Sequence, residues 1–194
     1  MELNRIYNAD SDTMLNEFIR EGIKFDLILT DPPYNLNKNF GNDSDSLPLP
    51  LFLGITRDRI EKCRDLLTPT GSIVWFGIHN YIGFIQVIMY EAKLHYRRMN
   101  IWRYENGFSR TTTSPAAQYE PFLWYSKSPK KWTYNADDVR VPYKSVERLK
   151  NPVYYNGKNG ERKEWKRSRA REPNWPRTIT ENAATRRHFF YERS

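Results

Sequence analysis

The segment from Asp31 to Tyr34 sets an acid, two prolines and an aromatic ring directly after an apolar run, FDLILT at residues 25–30. Proline fixes φ near −65°, and the residue before a proline is disfavoured in the helical conformation. The backbone is therefore expected to be stiff and extended. Because neither proline has an N–H group, the local polar groups are carbonyl oxygens, to which Asp31 adds a carboxylate. This pattern predicts a cluster of hydrogen-bond acceptors beside the flat face of Tyr34.

An exocyclic amino group on a planar ring fits such a cluster. It has two hydrogens to donate, one to the Asp31 carboxylate and one to a main-chain carbonyl, for which Pro32 is the candidate. Accepting both hydrogens draws the nitrogen lone pair out of conjugation with the ring, which makes the nitrogen a better nucleophile. Holding it in line with an electrophilic methyl group is mainly positioning, which contributes roughly 7–11 kcal/mol. The ring itself is expected to stack on Tyr34.

Alternating strands and helices are expected to position this corner. This alternation predicts an α/β fold with a parallel-rich sheet, helices on both faces and ligands at the carboxyl ends of the strands, where Asp31 would lie. The predicted strands are LNRIYNA, KFDLILT, SIVWFG, YRRMNIWRYE and QYEPFLWYSK. The predicted helices are SDTMLNEFIREG with Ser11 or Asp10 as N-cap, LFLGITRDRIEKCRDLL ended by Thr68 to Gly71, and HNYIGFIQVIMYEAKL.

The segment DLILTDPPYNL resembles motif IV of the S-adenosylmethionine-dependent DNA methyltransferases that modify amino groups. DPPY is the form usual in N6-adenine enzymes, whereas N4-cytosine enzymes more often carry serine before the prolines. Three further segments resemble this family in its β-type order, so that the likeness spans roughly residues 3–135: RIYNADSDTML, LLTPTGSIVWFGIHNYIGFI and IWRYENGFSRTTTSPAAQYEPFLWYSK.

The resemblance implies a Rossmann-like methyltransferase fold and an adenine-N6 methyltransferase that flips its target base out of double-stranded DNA. It implies S-adenosylmethionine as cofactor, with Asp10 and Asp31 near it, although Asp10 is equally well explained as a helix N-cap. The same acceptor geometry also fits the amino group of cytosine, and RNA is not excluded as substrate. The implied catalytic residues are Asp31, Pro32, Pro33 and Tyr34, and the expected nucleic-acid contacts are Asn35, Arg110, the Thr111–Thr113 run, Lys130 and Lys131.

One part of the family pattern is missing from this sequence. The family continues with a strand ending in Asp-Pro-Phe and a Gly-x-Gly turn around the methionine part of the cofactor, and neither occurs here. The sheet is therefore expected to be incomplete on the cofactor side, either by truncation or because another chain supplies that half. The alternative functions are a DNA-binding fragment without activity and one half of a split enzyme. An uncovered apolar edge predicts association, such as a homodimer.

Charge and composition indicate how the chain is divided and in which compartment it acts. Of 31 basic and 23 acidic residues, 17 of each lie in residues 1–140, so the net charge of +8 lies in the last quarter of the chain. We therefore expect a catalytic core at 1–135 and a basic, irregular recognition segment at 136–194. The single cysteine, Cys63, is expected to be buried and inert, which favours a cytoplasmic location. The histidines have no metal-site spacing, and no apolar run is long enough to span a membrane.

Overall fold

The computed structural model describes residues 4–38, 45–105, 112–113, 116–139, 154–156 and 159–164. Its helices and strands, in chain order, are α1 (Ser11–Arg20), β1 (Phe25–Thr30), α2 (Leu49–Leu66), β2 (Leu67–Phe76), α3 (Ile82–Glu91), β3 (His95–Arg103), β4 (Tyr119–Ser126), β5 (Tyr154–Asn156) and β6 (Arg162–Glu164). The described contacts divide into two compact units with a boundary between Thr133 and Tyr134. Within the described residues no helix is long and apolar enough to cross a membrane.

The first unit is built on a four-stranded sheet in the order β1-β2-β4-β3. β1 and β2 are parallel, whereas β4 runs antiparallel to both of its neighbours. The described sheet is therefore mixed rather than parallel-rich, because β4 pairs antiparallel with both β2 and β3. The parallel pair still creates the carboxyl edge at which Asp31 was expected.

The strand expected over residues 3–9 is wrong for the part of it that the structure describes. Residues 4–9 form no strand, and the Ile6 side chain is 98% exposed, so it does not pack on the sheet. The residues Thr68 to Gly71, expected to end the preceding helix, lie within β2. They interrupt its pairing, since Phe25 is opposite Leu67 while Leu27 is opposite Ser72.

The α helices begin and end where the local sequence allows. Asp10 caps α1, with its side chain accepting a hydrogen bond from the Thr13 N–H, and Gly22 follows the helix with φ of +69°. α2 begins directly after Pro48, and Pro50 lies in its first turn, where a proline is tolerated because the N–H groups there have no partner within the helix. An ion pair between Asp12 and Arg59, at 2.9 Å, joins α1 to α2.

All three described helices pack on one face of the sheet. The buried cluster joins side chains of α1, α2 and α3 to alternate residues of β1, β2 and β4, including Ile28, Ile73 and Leu123. The buried Cys63 belongs to this cluster, as expected. The expectation of helices on both faces is therefore not met in the described part of the chain, because the strand residues that point to the other face are apolar but lie outside this cluster: Leu27, Leu29, Val74, Phe76, Phe122 and Trp124.

The second unit is described only in part. It contains a short 3₁₀ helix at Ala136–Val139 and the antiparallel pair of β5 and β6, in which Tyr155 is opposite Lys163. The guanidinium of Arg162 lies 4.6 Å from the ring centre of Tyr154. The division of function at residue 135 stays a prediction.

Candidate active site

The acid and ring of the DPPY segment lie together at the carboxyl end of β1. Asp31 is exposed directly after the last residue of that strand, and Pro32, Pro33 and Tyr34 are half-buried. The Tyr34 hydroxyl donates a hydrogen bond to Oδ1 of Asp31. The carboxylate therefore faces outward rather than into the packed interior. A ligand can reach the hydrogen-bond acceptors of this corner.

A cleft adjoins this corner. It is shallow and open to solvent, with about 230 Å³ of empty space once the adjoining solvent is included, and its walls include the two prolines, Tyr34, Phe52 and Trp75. The Trp75 side chain is 2% exposed, and its Nε1 has no hydrogen-bond partner in the described part of the chain. An aromatic and proline-rich wall of this kind suits a flat, largely apolar ligand with a polar edge.

The Tyr34 hydroxyl is held in its protonated form. Burial raises the pKa of Tyr34 far above its ordinary value, and the hydrogen bond to Asp31 raises it further. The phenol consequently acts as a hydrogen-bond donor toward Asp31 at physiological pH and does not serve as a base.

A buried carboxylate fixes the loop that follows the corner. Asp45 is 2% exposed and accepts backbone N–H hydrogen bonds from Asn35 at 2.8 Å, Leu36 at 3.1 Å and Lys38 at 2.7 Å. Sequence reasoning missed Asp45. An acid ten residues beyond an Asn gives no periodic signal, so the hydrogen bond that joins them is visible only in three dimensions.

Asn35, expected to contact nucleic acid, has a structural role in this loop. Its amide nitrogen donates to the Leu47 carbonyl at 2.9 Å, and its amide oxygen accepts from the Leu47 N–H at 2.6 Å. Its φ is +58°, a left-handed conformation that asparagine adopts more readily than most residues. The type of residue at this position is therefore explained by the loop, and a DNA contact by Asn35 stays a prediction.

Two further charged residues lie near the corner and were not expected there. Burial and the nearby negative charge of Asp31 raise the pKa of Glu120, while Lys38 lowers it. Lys38 is exposed in the loop that Asp45 holds, and Glu120 is half-buried at the beginning of β4. The only sequence signal for Glu120 was its place inside the strand-like stretch QYEPFLWYSK, which gives no indication of which sheet edge it reaches.

Asp10 is engaged as a helix cap. Its Oδ1 accepts hydrogen bonds from the backbone N–H and the hydroxyl of Thr13, both at 2.9 Å. These bonds lower its pKa, the backbone bond contributing most. The carboxylate is exposed and both bonds fall on one oxygen, so a cofactor contact by Asp10 stays a prediction.

The expected nucleic-acid contacts are not all brought to this corner. Lys130 and Lys131 are exposed and follow β4 at its far end, where the Lys127 N–H donates to the Gly71 carbonyl. That end is separated from the DPPY edge by six residues of β2, or about 20 Å at about 3.3 Å per residue. Arg110 lies outside the described residues, as do Thr111 and the far tail.

Comparison with known proteins identifies methyltransferases that are similar to this chain in sequence. M.HpaI of Haemophilus parainfluenzae, a Type II methyltransferase, is 33% identical over 148 residues, covering 69% of this chain and 47% of that protein. The DNA adenine methyltransferase YhdJ of Escherichia coli strain K12 is 27% identical over 157 residues, covering 78% of this chain and 52% of that protein. The chain thus spans about half the length of these curated relatives.

Solved structures show the same fold. The M1.HpyAVI–SAM complex superposes with a TM-score of 0.53 at 23% identity, over 68% of this chain and 60% of that one. The sheet and its helices accordingly have a Rossmann-like α/β fold. The N6_N4_Mtase family, described as DNA methylase, matches residues 25–189. Since this match covers most of the sequence, the chain belongs to the N6/N4 DNA methylase family.

Proposed function

We propose that this chain carries the target-base corner of a DNA adenine-N6 methyltransferase. The observation that carries the proposal is the exposed Asp31 carboxylate at the carboxyl end of β1, with Tyr34 beside it on the wall of an open cleft. Adenine is favoured because the segment has the DPPY form and because one relative, YhdJ, is a DNA adenine methyltransferase.

In the proposed mechanism the chain positions an extruded adenine. Asp31 accepts one hydrogen of the N6 amino group through the oxygen that Tyr34 does not occupy, and the Pro32 carbonyl accepts the other. Tyr34 stacks on the base, and Pro33 keeps the corner stiff. Extrusion costs a few kcal/mol, which these contacts offset.

The cofactor in this proposal is S-adenosylmethionine, which supplies an electrophilic methyl group when bound. The residues present fit the acceptor side of that reaction, since an exposed carboxylate and a proline-lined aromatic cleft meet at one edge. Asp31 would lie beside the cofactor, and Asp10 is the second residue expected to hold it. The solved relative M1.HpyAVI was described as a complex with this cofactor, which supports the choice.

The test is methyl transfer from radiolabelled cofactor to unmethylated plasmid DNA, followed by nucleoside analysis. N6-methyladenine formed by the wild-type chain and lost in Asp31→Ala supports the proposal. N4-methylcytosine as the product would instead establish the cytosine alternative, for which the same acceptor geometry is suitable. Methyl transfer that survives Asp31→Ala would overturn the role of this residue.

A second candidate is a split enzyme or homodimer, in which another chain completes the cofactor site. It is favoured by the apolar sheet face that the described helices leave outside the core, including Leu29, Phe76 and Trp124. Calorimetric titration with S-adenosylmethionine distinguishes the single-chain enzyme from the split enzyme or homodimer. Micromolar binding by the lone chain supports the single-chain enzyme, and binding only after a partner is added supports the split form. A catalytically inactive DNA-binding fragment would bind DNA with a steep salt dependence, whether or not a partner chain is added.

A further inference from the structure

Glu120 lies at the same edge of the sheet as Asp31. Phe122 is opposite Phe76, the last residue of β2, and Glu120 comes two residues earlier on the antiparallel strand. Glu120 therefore extends past the carboxyl end of β2. Asp31 directly follows β1, which is parallel to β2, so both acidic residues lie at the carboxyl edge of this strand pair.

The two acidic residues also share a face of the sheet. Side chains alternate along a strand, so Glu120 points to the same face as Phe122. Thr30 is opposite Trp75, whose ring packs among the helices, and the next residue, Asp31, falls on the other face with Phe76. The rings of Phe76 and Phe122, on this same face, stack with their centres 4.8 Å apart.

Charge coupling agrees with this placement. The Asp31 charge, together with burial, raises the pKa of Glu120, and the Glu120 charge contributes to raising the pKa of Tyr34. Among the described residues, the groups coupled to Glu120 include Asp31 and Tyr34 of the corner and Lys38 of the following loop, which acts in the opposite direction.

We propose that Glu120 is a catalytic residue, the proton acceptor for methyl transfer at this corner. This inference rests on the function proposed above. As the N–C bond forms, the bond between the methyl carbon and the donor sulfur breaks and its electron pair stays on sulfur. The N–H bond of the methylated amine then breaks, its electron pair stays on nitrogen, and the proton moves to a carboxylate oxygen of Glu120.

Glu120 suits this role better than Asp31 does. Asp31 Oδ1 already accepts the Tyr34 hydroxyl, and its other oxygen is assigned to the amino group. The raised pKa of Tyr34 keeps its hydroxyl protonated at physiological pH, so no phenolate forms there to act as the base. A half-buried carboxylate with a raised pKa keeps a proton more readily than an exposed one.

The first test compares Glu120→Gln with the matched control Glu105→Gln in single-turnover methyl transfer to unmethylated plasmid DNA. Glu105 is an exposed glutamate that follows β3 at the same sheet edge, and its side chain is 88% exposed. Glu120→Gln is expected to lower the rate by about 10²-fold or more, as is typical for loss of a general base, with KM for DNA nearly unchanged. The wild-type rate should fall toward acidic pH because Glu120 becomes protonated. The rate of Glu120→Gln should not show this fall. Glu105→Gln should match the wild type.

Two results overturn the inference in different ways. If the wild-type chain methylates DNA and Glu120→Gln retains its rate and pH profile, the role of Glu120 fails while the proposed function stands. If neither protein methylates DNA, the proposed function fails and the inference fails with it.

A second measurement does not depend on activity. The side-chain carboxyl of Glu120 is titrated by carbon-13 NMR in the wild-type chain and in Asp31→Asn. Removing the Asp31 charge is expected to move the Glu120 titration to lower pH, because the repulsion that disfavours its ionised form is gone. An unchanged titration would show that the two carboxylates are not neighbours, and the inference would be withdrawn.

Discussion

The Tyr34 hydroxyl donates its hydrogen bond to Asp31 Oδ1, so the residue expected to stack on the base also orients the carboxylate that we propose binds the base. The two residues are three apart in sequence, and the prolines between them keep the spacing fixed. One oxygen of Asp31 is thereby committed inside the corner, and the other is left for the ligand. The orientation of the acceptor is consequently set before a base arrives.

Two substitutions at Tyr34 separate these roles. Tyr34→Phe keeps the ring and removes the hydroxyl, so DNA binding should remain near the wild-type level while the methyl-transfer rate falls. Tyr34→Ala also removes the stacking surface, which is worth about 1–3 kcal/mol per base and predicts a further loss of affinity for DNA of about 5- to 150-fold. Equilibrium binding and single-turnover kinetics measure the two effects. Equal DNA affinities for the two variants would argue against stacking.

Asp45→Ala should loosen the loop behind the corner. The change removes an acceptor of three backbone N–H groups, and hydrogen bonds to a charged group are worth about 1.5–3 kcal/mol each before the freed groups regain water. We expect the free energy of unfolding to fall by about 2 kcal/mol, with methyl transfer reduced because the corner loses its support.

Urea denaturation measures the stability of Asp45→Ala. The control is Asp138→Ala, which alters an exposed aspartate of the 3₁₀ helix and should change stability by less than about 0.5 kcal/mol. Similar losses in the two variants would mean that the buried carboxylate does not stabilise the loop.

Asp10 caps α1 and is also expected to contact the cofactor, and two substitutions separate these roles. Asp10→Ala should lower stability by about 1 kcal/mol, while Asp10→Ser keeps a capping oxygen and most of that stability. The lowered pKa of Asp10 means that its stabilising effect is present above the ordinary carboxyl value and is lost as the pH falls through the folded value. Calorimetry with S-adenosylmethionine then decides the second role, because a cofactor contact would be lost in Asp10→Ser although the fold is kept.

Lys38 should affect DNA binding more than Lys130 and Lys131. Lys38 lies at the DPPY edge, whereas the other two lie about 20 Å away along β2. If Lys38 contacts a phosphate near the extruded base, Lys38→Ala should reduce the slope of log affinity against log salt by about 0.9. The double variant Lys130→Ala with Lys131→Ala should change this slope less. Fluorescence anisotropy over a salt series measures both, and a larger effect of the double variant would reverse this assignment.

The sequence by itself determined which residues form the corner and most of the elements around it. Asp31, Pro32, Pro33 and Tyr34 are contiguous, so their geometry follows from proline φ angles and from the strand before them. The boundaries of α1 and β1 likewise follow from a cap residue, a glycine stop and an apolar run. Such features depend on neighbours along the chain and can be predicted without the fold.

Only the tertiary structure decided which distant residues share that corner. Asp45 reaches it by loop closure, and Glu120 reaches it through an antiparallel register that no local pattern specifies. The same register moved Lys130 and Lys131 to the opposite edge, and it made the sheet mixed instead of parallel-rich. Strand pairing is fixed by packing between segments far apart in sequence, so strand direction and the composition of each sheet edge became visible only once the strands were paired.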